Sequence, residues 1–320
     1  MAEENRYAVA TGDWTDTATW STSSGGSGGA SVPDTDQHAI IESGVNVTIN
    51  ANDEIKSLTV NSGGTLTGNS SYSLTLNDEG DSTYGTAGYA LKVVGALGTN
   101  VNIILTTQAT TIILVSTSGA GGSLHDLTIN HASCDAVQFS HITLAGDLTI
   151  TAGALSTGSD KNLTVTGGVT GAGTLTGNAS AISMGYFGMT GTYNATSGTT
   201  TINSRNGSGY RMSCGVGDIV HNNGTFKFDT TGGGNSNFIL TGTSDGTNGI
   251  YDLEIDTGNT VTIENNALSI HRNLTITSGT LNTNGSSNYG LTVTGDVNIA
   301  NGGTLTGNAS AISMGSLTIA

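Results

Sequence analysis

Gly173–Gly185 reads GTLTGNASAISMG, and the same thirteen residues return at Gly303–Gly315. The core GTLTGN occurs a third time at Gly64–Asn69. A longer echo surrounds the two long copies. Residues 124–185 run LHDLTI, GDLTITAGALSTGS, NLTVTGG, GTLTGNASAISMG, and residues 250–315 run IYDLEI, RNLTITSGTLNTNG, GLTVTGD, GTLTGNASAISMG. The offset between copies begins at 126 residues, becomes 128 at the LTVTG pair and ends at 130, so small insertions separate conserved strands. A duplicated strand–turn unit is the signature of a solenoid, in which each turn buries its apolar face against the next.

The short strands carry the same message. Leu58-Thr59-Val60, Leu74-Thr75-Leu76, Leu127-Thr128-Ile129, Leu148-Thr149-Ile150, Leu163-Thr164-Val165, Leu274-Thr275-Ile276 and Leu291-Thr292-Val293 each place aliphatics at i and i+2 around a threonine. Alternate side chains of a strand point to opposite faces, so the aliphatics turn inward and threonine outward. Gly or Asn follows most of these strands and supplies the positive φ of a sharp corner. No segment shows the three-to-four spacing of an amphipathic helix. The expected fold is all-β: a right-handed parallel β-helix over residues 55–320, preceded by a small β-rich module over 1–54. A coil of roughly 20 residues predicts about 13 coils. Leu66, Leu175 and Leu305, the leucines of GTLTGN, are expected at equivalent buried positions.

Composition agrees. Of 320 residues, 49 are Gly, one is Pro, and 10% are charged, well under the usual quarter for a soluble domain. Abundant Thr, Val and Ile suit a pleated, half-buried surface, which argues against disorder. Eight basic residues face 24 acidic ones for a net charge of −16, and no basic cluster exists. Nucleic acid and anionic membrane are therefore excluded as expected partners. No stretch approaches the ~20 apolar residues that span a bilayer. The opening MAEENRYAVATGDW lacks the basic region and apolar run of a Sec signal. Cys134 and Cys214 are too few for a disulfide scaffold and too far apart in sequence for a metal knuckle. They read as small interior residues.

Residues 1–54 hold both tryptophans, Trp14 and Trp20, the sole proline, Pro33, and a Ser/Gly tract from Ser21 to Ser31. The first coil of a solenoid exposes its core and an open edge, and two large indoles suit a plug there. A carbohydrate-binding or attachment patch is the rival reading. Val101–Leu105 and Thr111–Val115 carry consecutive large apolar residues, as strands buried on both faces do. A second layer, a neighbouring subunit or a thick local core would each accommodate them. The last segment, Leu317-Thr318-Ile319, reads as a strand that needs a cap, a partner chain or further sequence.

Residues with chemistry are weighed against plainer roles. His125, His131 and His141, with Asp126 and Asp135, invite a metal or acid–base reading. Their counterparts in the second copy are Tyr251, Thr257 and Ala267, so the strand does not need them and scattered outward histidine is the favoured account. Asp218, Asp229, Asp245, Asp252, Glu254 and Asp256 are the candidates for a glycosidase carboxylate pair, and nothing in their spacing selects two of them. Tyr186, Phe187, Tyr193 and Tyr210 form one aromatic-richer window. Asp78, Glu79 and Asp81 in a Gly-containing loop form an oxygen-rich calcium candidate whose spacing fits no EF-hand, so a solvated turn is preferred. The Asn-x-Ser/Thr sequons at Asn46, Asn162, Asn178, Asn194, Asn223, Asn273 and Asn308 follow from composition. Asn69, Asn178 and Asn308 are expected at corners, where stacked amides form ladders. No catalytic, cofactor or metal residue is assigned.

With its Trp-containing opening, GDWTDTATW…VPDTDQHAIIESGVNVTI, and its Thr/Gly/Asn coils, the chain resembles β-helical structural proteins of bacteriophage virions: tail fibres, tailspikes and capsid-decorating spikes. The resemblance implies a non-enzymatic virion component at an extracellular surface, contacting other virion proteins and host-surface glycan, and it implies a homo-oligomer, with a trimer as the usual form. Lysis releases such proteins without an export signal. A surface adhesin or filament subunit, and a tailspike glycan depolymerase, are the alternatives. Sparse charge and a single proline leave few devices to guard open edges, which independently favours self-association.

Overall fold

The computed structural model describes residues 4–78, 83–84, 87–98, 100–115, 123–215, 218–229, 234–242 and 244–320. The chain is all-β, 57% strand with no α-helix among the described residues, and forms a β-solenoid of about 11 turns. It divides into two compact units, Met1–Asn162 and Leu163–Ala320. The expected boundary near residue 54 falls inside the first unit, where Gln37–Ile41 pairs with Ser57–Val60 and Asp53–Ile55 with Ser73–Leu76.

Turns are fewer than a 20-residue coil predicts because loops lengthen them. Thr200, Phe226 and Leu253 stack in succession, 26 and 27 residues apart. Where loops are short, the coil returns to 21 residues, as between Leu127 and Leu148 or Leu253 and Leu274.

The duplicated unit folds the same way twice. Leu163, Thr164 and Val165 lie beside Ile182, Ser183 and Met184, and Leu291, Thr292 and Val293 lie beside Ile312, Ser313 and Met314. Inward positions are closed to solvent: Leu148, Ile150, Leu163, Val165, Leu274 and Ile276 are all 0% exposed. Their threonine neighbours are half-exposed, as the alternation requires.

Corners explain two conserved residue types. Asn178 and Asn308 adopt φ of 47° and 46° at the same place in the repeat, a left-handed conformation that Asn tolerates better than most. Gly153 and Gly279, also equivalent, adopt φ of 85° and 79°. A Cβ there would run into the carbonyl oxygens of His131 and Thr257 respectively. Those two residues are themselves equivalent, and each side chain accepts the N–H two residues on, His131 from Ser133 and Thr257 from Asn259, so the repeat exchanges His for Thr. Asn69 instead closes a local turn, its Oδ1 accepting the Ser71 N–H at 3.0 Å. Asn308 Nδ2 donates across coils to Asn282 Oδ1 at 2.8 Å.

In the first unit, Glu4–Ala8 pairs in parallel with Gln37–Ile41 and antiparallel with Trp20–Ser21. Trp14 and Trp20 are both 0% exposed and meet edge to face at 4.8 Å between ring centroids. Trp20 Nε1 donates to the Trp14 carbonyl at 2.8 Å and Trp14 Nε1 to Asp53 Oδ2 at 2.7 Å, so neither indole N–H is lost on burial. The first coil thus carries a reversed strand on its outer edge.

Leu66 and Leu175 are 0% exposed, Leu66 between Val47 and Leu97 and Leu175 beside Tyr193. Leu305 departs from the expectation and is half-exposed. It lies beside Leu281 on one side, and no described strand covers the other.

In the doubly apolar strands Val101, Ile103, Leu105 and Ile113 are at most 1% exposed, while Ile104, Leu114 and Val115 are half-buried. Ile104 lies half-buried between Thr75 and Thr128 of the adjoining coils. Thr110–Val115 is paired on both sides, with Ala87–Val93 and with Leu127–Gln138. Among the described residues, the exposed large hydrophobic side chains are Leu317, at 51%, and Ile319, at 67%.

Candidate functional site

Coil stacking in the second unit brings its charged residues together on one outer face. Thr225–Asp229, Asp252–Ile263 and Leu274–Asn282 lie side by side in parallel. Phe226, Phe228, Leu253 and Ile255 point inward, which sends Lys227, Asp229, Glu254 and Asp256 outward. Lys227 Nζ reaches Asp256 Oδ2 at 2.7 Å and Glu254 Oε1 at 3.1 Å. Ser278 Oγ donates to the other Asp256 oxygen at 3.0 Å. The hydrogen bond from Lys227 holds the Asp256 carboxyl below the usual carboxylate range, and the reciprocal bond raises the Lys227 ammonium above its ordinary value. Lys227 was not singled out from the sequence, because its partners lie 27 and 29 residues away and only coil register brings them near.

At an adjoining corner, Arg272 clamps Asp252 through both carboxylate oxygens, with Nε 2.9 Å from Oδ1. Asp252 Oδ1 also accepts the Asn273 N–H at 3.0 Å. The guanidinium lies 4.8 Å over the Tyr251 ring. Tyr251 in turn lies 5.4 Å from His271 and 4.9 Å from His221, and the two imidazoles stack at 5.5 Å and 17°. His221 is 3% exposed and its Nδ1 accepts the Asn223 N–H at 3.0 Å. Burial pushes its pKa down, and His271 adds to that shift while Asp245 opposes it.

Two of the remaining candidate carboxylates, Asp245 and Asp218, are tied to local backbone. Asp245 Oδ1 accepts the N–H groups of Thr247 and Asn248, each at 2.7 Å, and these bonds hold its carboxyl low. Asp218 Oδ2 accepts the Gly215 N–H at 2.8 Å. Asp229 lies beside Asp256 in register, and its carbonyl takes a bond from buried Arg211 at 3.0 Å. Desolvation lowers the Arg211 guanidinium to about 10, with Arg205 adding to the shift. A general acid of glycoside hydrolysis needs a carboxyl raised toward neutrality. Among the described carboxylates the resolved shifts, at Asp245 and Asp256, run the other way.

His125, His131 and His141 make separate local contacts. His131 Nδ1 accepts the Ser133 N–H at 3.2 Å, His141 Nδ1 accepts the Asn162 N–H at 3.0 Å, and His125 lies 3.2 Å from Asp126. Among the described residues, no group of three or more His, Cys, Asp or Glu is placed to hold a metal ion. Of the calcium candidate, Asp78 lies 3.8 Å from Lys56 Nζ, while Glu79 and Asp81 lie outside the described residues. Cys134 and Cys214 are buried free thiols, both pushed up in pKa by burial.

Of the aromatic window, Phe187 and Tyr193 are interior, while Tyr186 and Tyr210 are half-exposed. Phe187 and Tyr193 are 0% exposed, lie 5.3 Å apart and share Phe226 at 6.4 and 6.1 Å. Tyr193 Oη hydrogen-bonds Thr200 Oγ1 at 2.6 Å, and burial raises its pKa to about 12. These rings, like Trp14 and Trp20, have no free face for a sugar. A cleft of about 500 Å³ in this unit is lined by Ser204, Arg205, Asn206, Gly207, Ser208 and Gly209. It is a polar loop hollow containing no carboxylate. No helix among the described residues is long and apolar enough to cross a membrane.

The chain matches no protein-family model, no curated protein and no solved structure.

Proposed function

We propose that the chain is a non-enzymatic structural component of a bacteriophage virion, a fibre, spike or capsid decoration whose solenoid serves assembly, stabilisation or contact with the host surface. One observation carries the non-enzymatic part. Five of the charged side chains of the outer face, Lys227, Asp252, Glu254, Asp256 and Arg272, join one coil to the next. Such cross-coil pairs stiffen a scaffold, and the carboxyl shifts resolved among the described residues, at Asp245 and Asp256, lower the acid rather than raise it. The virion part is supported by the duplicated unit, the Trp-closed first coil and the Thr/Gly/Asn surface, all features of the resemblance. In this reading the protein acts without a cofactor, at an extracellular particle surface, and any glycan contact uses outward hydroxyl and amide groups.

Proteomics of purified particles from a phage carrying the gene, together with cryo-EM of those particles, tests the reading. The chain is expected as a stoichiometric particle protein, and its absence from particles overturns the assignment. Incubating the purified chain with host capsule tests the depolymerase alternative, since release of reducing sugar would replace a structural role with a catalytic one.

A further inference from the structure

Between the strands Thr199–Ile202 and Tyr210–Gly215 the chain leaves its coil in a loop, and this loop lines the cleft of about 500 Å³. Asn206 sets the loop's shape. Its Oδ1 accepts the N–H groups of Ser208 at 3.0 Å and Tyr210 at 2.9 Å. Its carbonyl accepts the Gly209 N–H at 2.9 Å, and its own N–H donates to the Tyr210 carbonyl at 2.8 Å. Gly209 completes the turn at a φ of 89°. A loop held in this way is preorganised, so a ligand has little left to order. The cleft falls within the range of small-molecule sites, about 300–1,000 Å³. Ser204, Arg205, Asn206 and Ser208 line it with two glycines and no large apolar side chain, which suits a polar ligand.

Two arginines meet at this loop, and both bind neutral oxygens. The other two arginines of the chain, Arg6 and Arg272, are paired with Glu4 and Asp252. Arg205 is exposed, and its Nη1 donates to the Asn235 carbonyl, which uses one arm of its fork. Arg211 is 0% exposed. Its Nε donates to Ser236 Oγ at 2.7 Å, and its Nη1 to the carbonyls of Ile202 and Asp229 at 3.2 and 3.0 Å. The loop departs after Ile202 and has just returned at Arg211, so this guanidinium closes its stem. The two arginines also grip adjacent residues, Asn235 and Ser236, which sets their charges close together. Burial first, then the Arg205 charge, depresses the Arg211 pKa, with Asp229 opposing. Arg211 Nη2 has no hydrogen-bond partner among the described residues. A buried cation with a spare donor and no ion pair is unfavourable, and an anion beside it relieves that cost. The chain has eight basic residues against 24 acidic ones, yet the cleft lining contains Arg205 and no acid, which makes it a local positive site.

We propose that the Ser204–Gly209 cleft binds an oxyanion, the carboxylate or phosphate of an acidic sugar, with Arg205 as its contact and Arg211 as a fixed charge at the loop stem. The planar fork of arginine matches either group with two parallel hydrogen bonds. Ser204, Asn206 and Ser208 bring hydroxyl and amide groups that suit the hydroxyls of the same sugar. The site stands independently of the virion reading, because nothing in its geometry requires a particle.

Isothermal titration calorimetry of the 320-residue chain with glucuronate, glucose 6-phosphate and glucose tests the proposal. Saturable one-to-one binding of at least one of the two anions is expected, and none of glucose. Binding of glucuronate alone assigns a carboxylate sugar, and binding of glucose 6-phosphate alone a phosphorylated one. Arg205→Gln is expected to weaken that binding at least about tenfold, as for a lost hydrogen bond to a charged group. Its far-UV circular dichroism should be unchanged, because Arg205 is exposed. Arg205→Lys keeps the charge and loses the fork, so its affinity should fall between the two, and it carries the test if Arg205→Gln does not fold. Lys161→Gln, which removes a cation from the other compact unit, should bind as the native chain does. Binding of neither anion, binding of glucose as tight as that of the anions, or an affinity that Arg205→Gln leaves unchanged or Lys161→Gln lowers equally, would each overturn it.

Discussion

Met184 and Met314 occupy the same position of the same thirteen-residue word, pair with equivalent valines, Val165 and Val293, and differ in burial: Met184 is 0% exposed and Met314 half-exposed. Identical local sequence produces identical strand and register in both places. Burial differs because it belongs to the coil that stacks on top, and the two words are followed by different residues.

The same contrast governs stability at Leu175 and Leu305. Leu175→Ala is expected to cost about 2–5 kcal/mol, as for a fully buried aliphatic. Leu305→Ala should cost about 1 kcal/mol, because its side chain is already half in water. Thr174→Ala, on a half-exposed outward position, should stay within about 0.5 kcal/mol. Urea unfolding midpoints of the three variants measure the ranking, and equal losses at Leu175 and Leu305 would contradict it.

Trp14 and Trp20 are expected to resist quenching by iodide and acrylamide in the native protein and to become accessible on unfolding. Trp14→Ala should cost about 3–5 kcal/mol by leaving a large void. Asp53→Ala should cost about 1–3 kcal/mol by leaving the buried indole N–H unpaired. Thermal unfolding followed by tryptophan emission reads all three, and a native emission quenched as readily as free indole would refute the closed-end arrangement.

The corner glycines should tolerate no side chain. Gly153→Ala and Gly279→Ala each force a Cβ against a backbone carbonyl at positive φ, a strain on the order of 1–3 kcal/mol. His131→Thr should be nearly silent by comparison, since the second copy already places threonine there. Differential scanning calorimetry of the three variants checks this order.

Stability should fall with acid in two stages. His221 is buried beside Tyr251, His271 and Asp245, and its folded pKa lies below 6.5. The unfolded chain therefore takes up this proton first, and stability declines as the pH drops from about 6.5 toward the folded value. Asp245 and Asp256 have depressed folded values, so their contribution is present above 3.8 and is lost as the pH falls below it. Lys227 works in the opposite direction, contributing below 10.5 and losing its contribution as the pH rises through its higher folded value. His221→Asn should flatten the first acid stage while leaving the second, as measured by melting temperature against pH. An unchanged profile would remove His221 from this account.

Much of the fold was legible in the chain itself. Aliphatics at i and i+2 around threonine determined which side chains enter the core, and the Asn and Gly corners determined where strands bend, because both depend on neighbours a few residues away. The duplication determined that Leu163–Val165 and Leu291–Val293 share a register. What the tertiary structure decided are quantities that depend on the stacked coil. Sequence spacing does not reveal that Lys227 meets Glu254 and Asp256, since loops of unequal length vary the number of residues per coil. Ile104 and Leu114 look unpaired as letters, yet adjoining coils of the same unit half-cover them. Leu175 and Leu305 stand in the same word, and only the presence or absence of a covering strand makes one a core residue and leaves the other half in solvent.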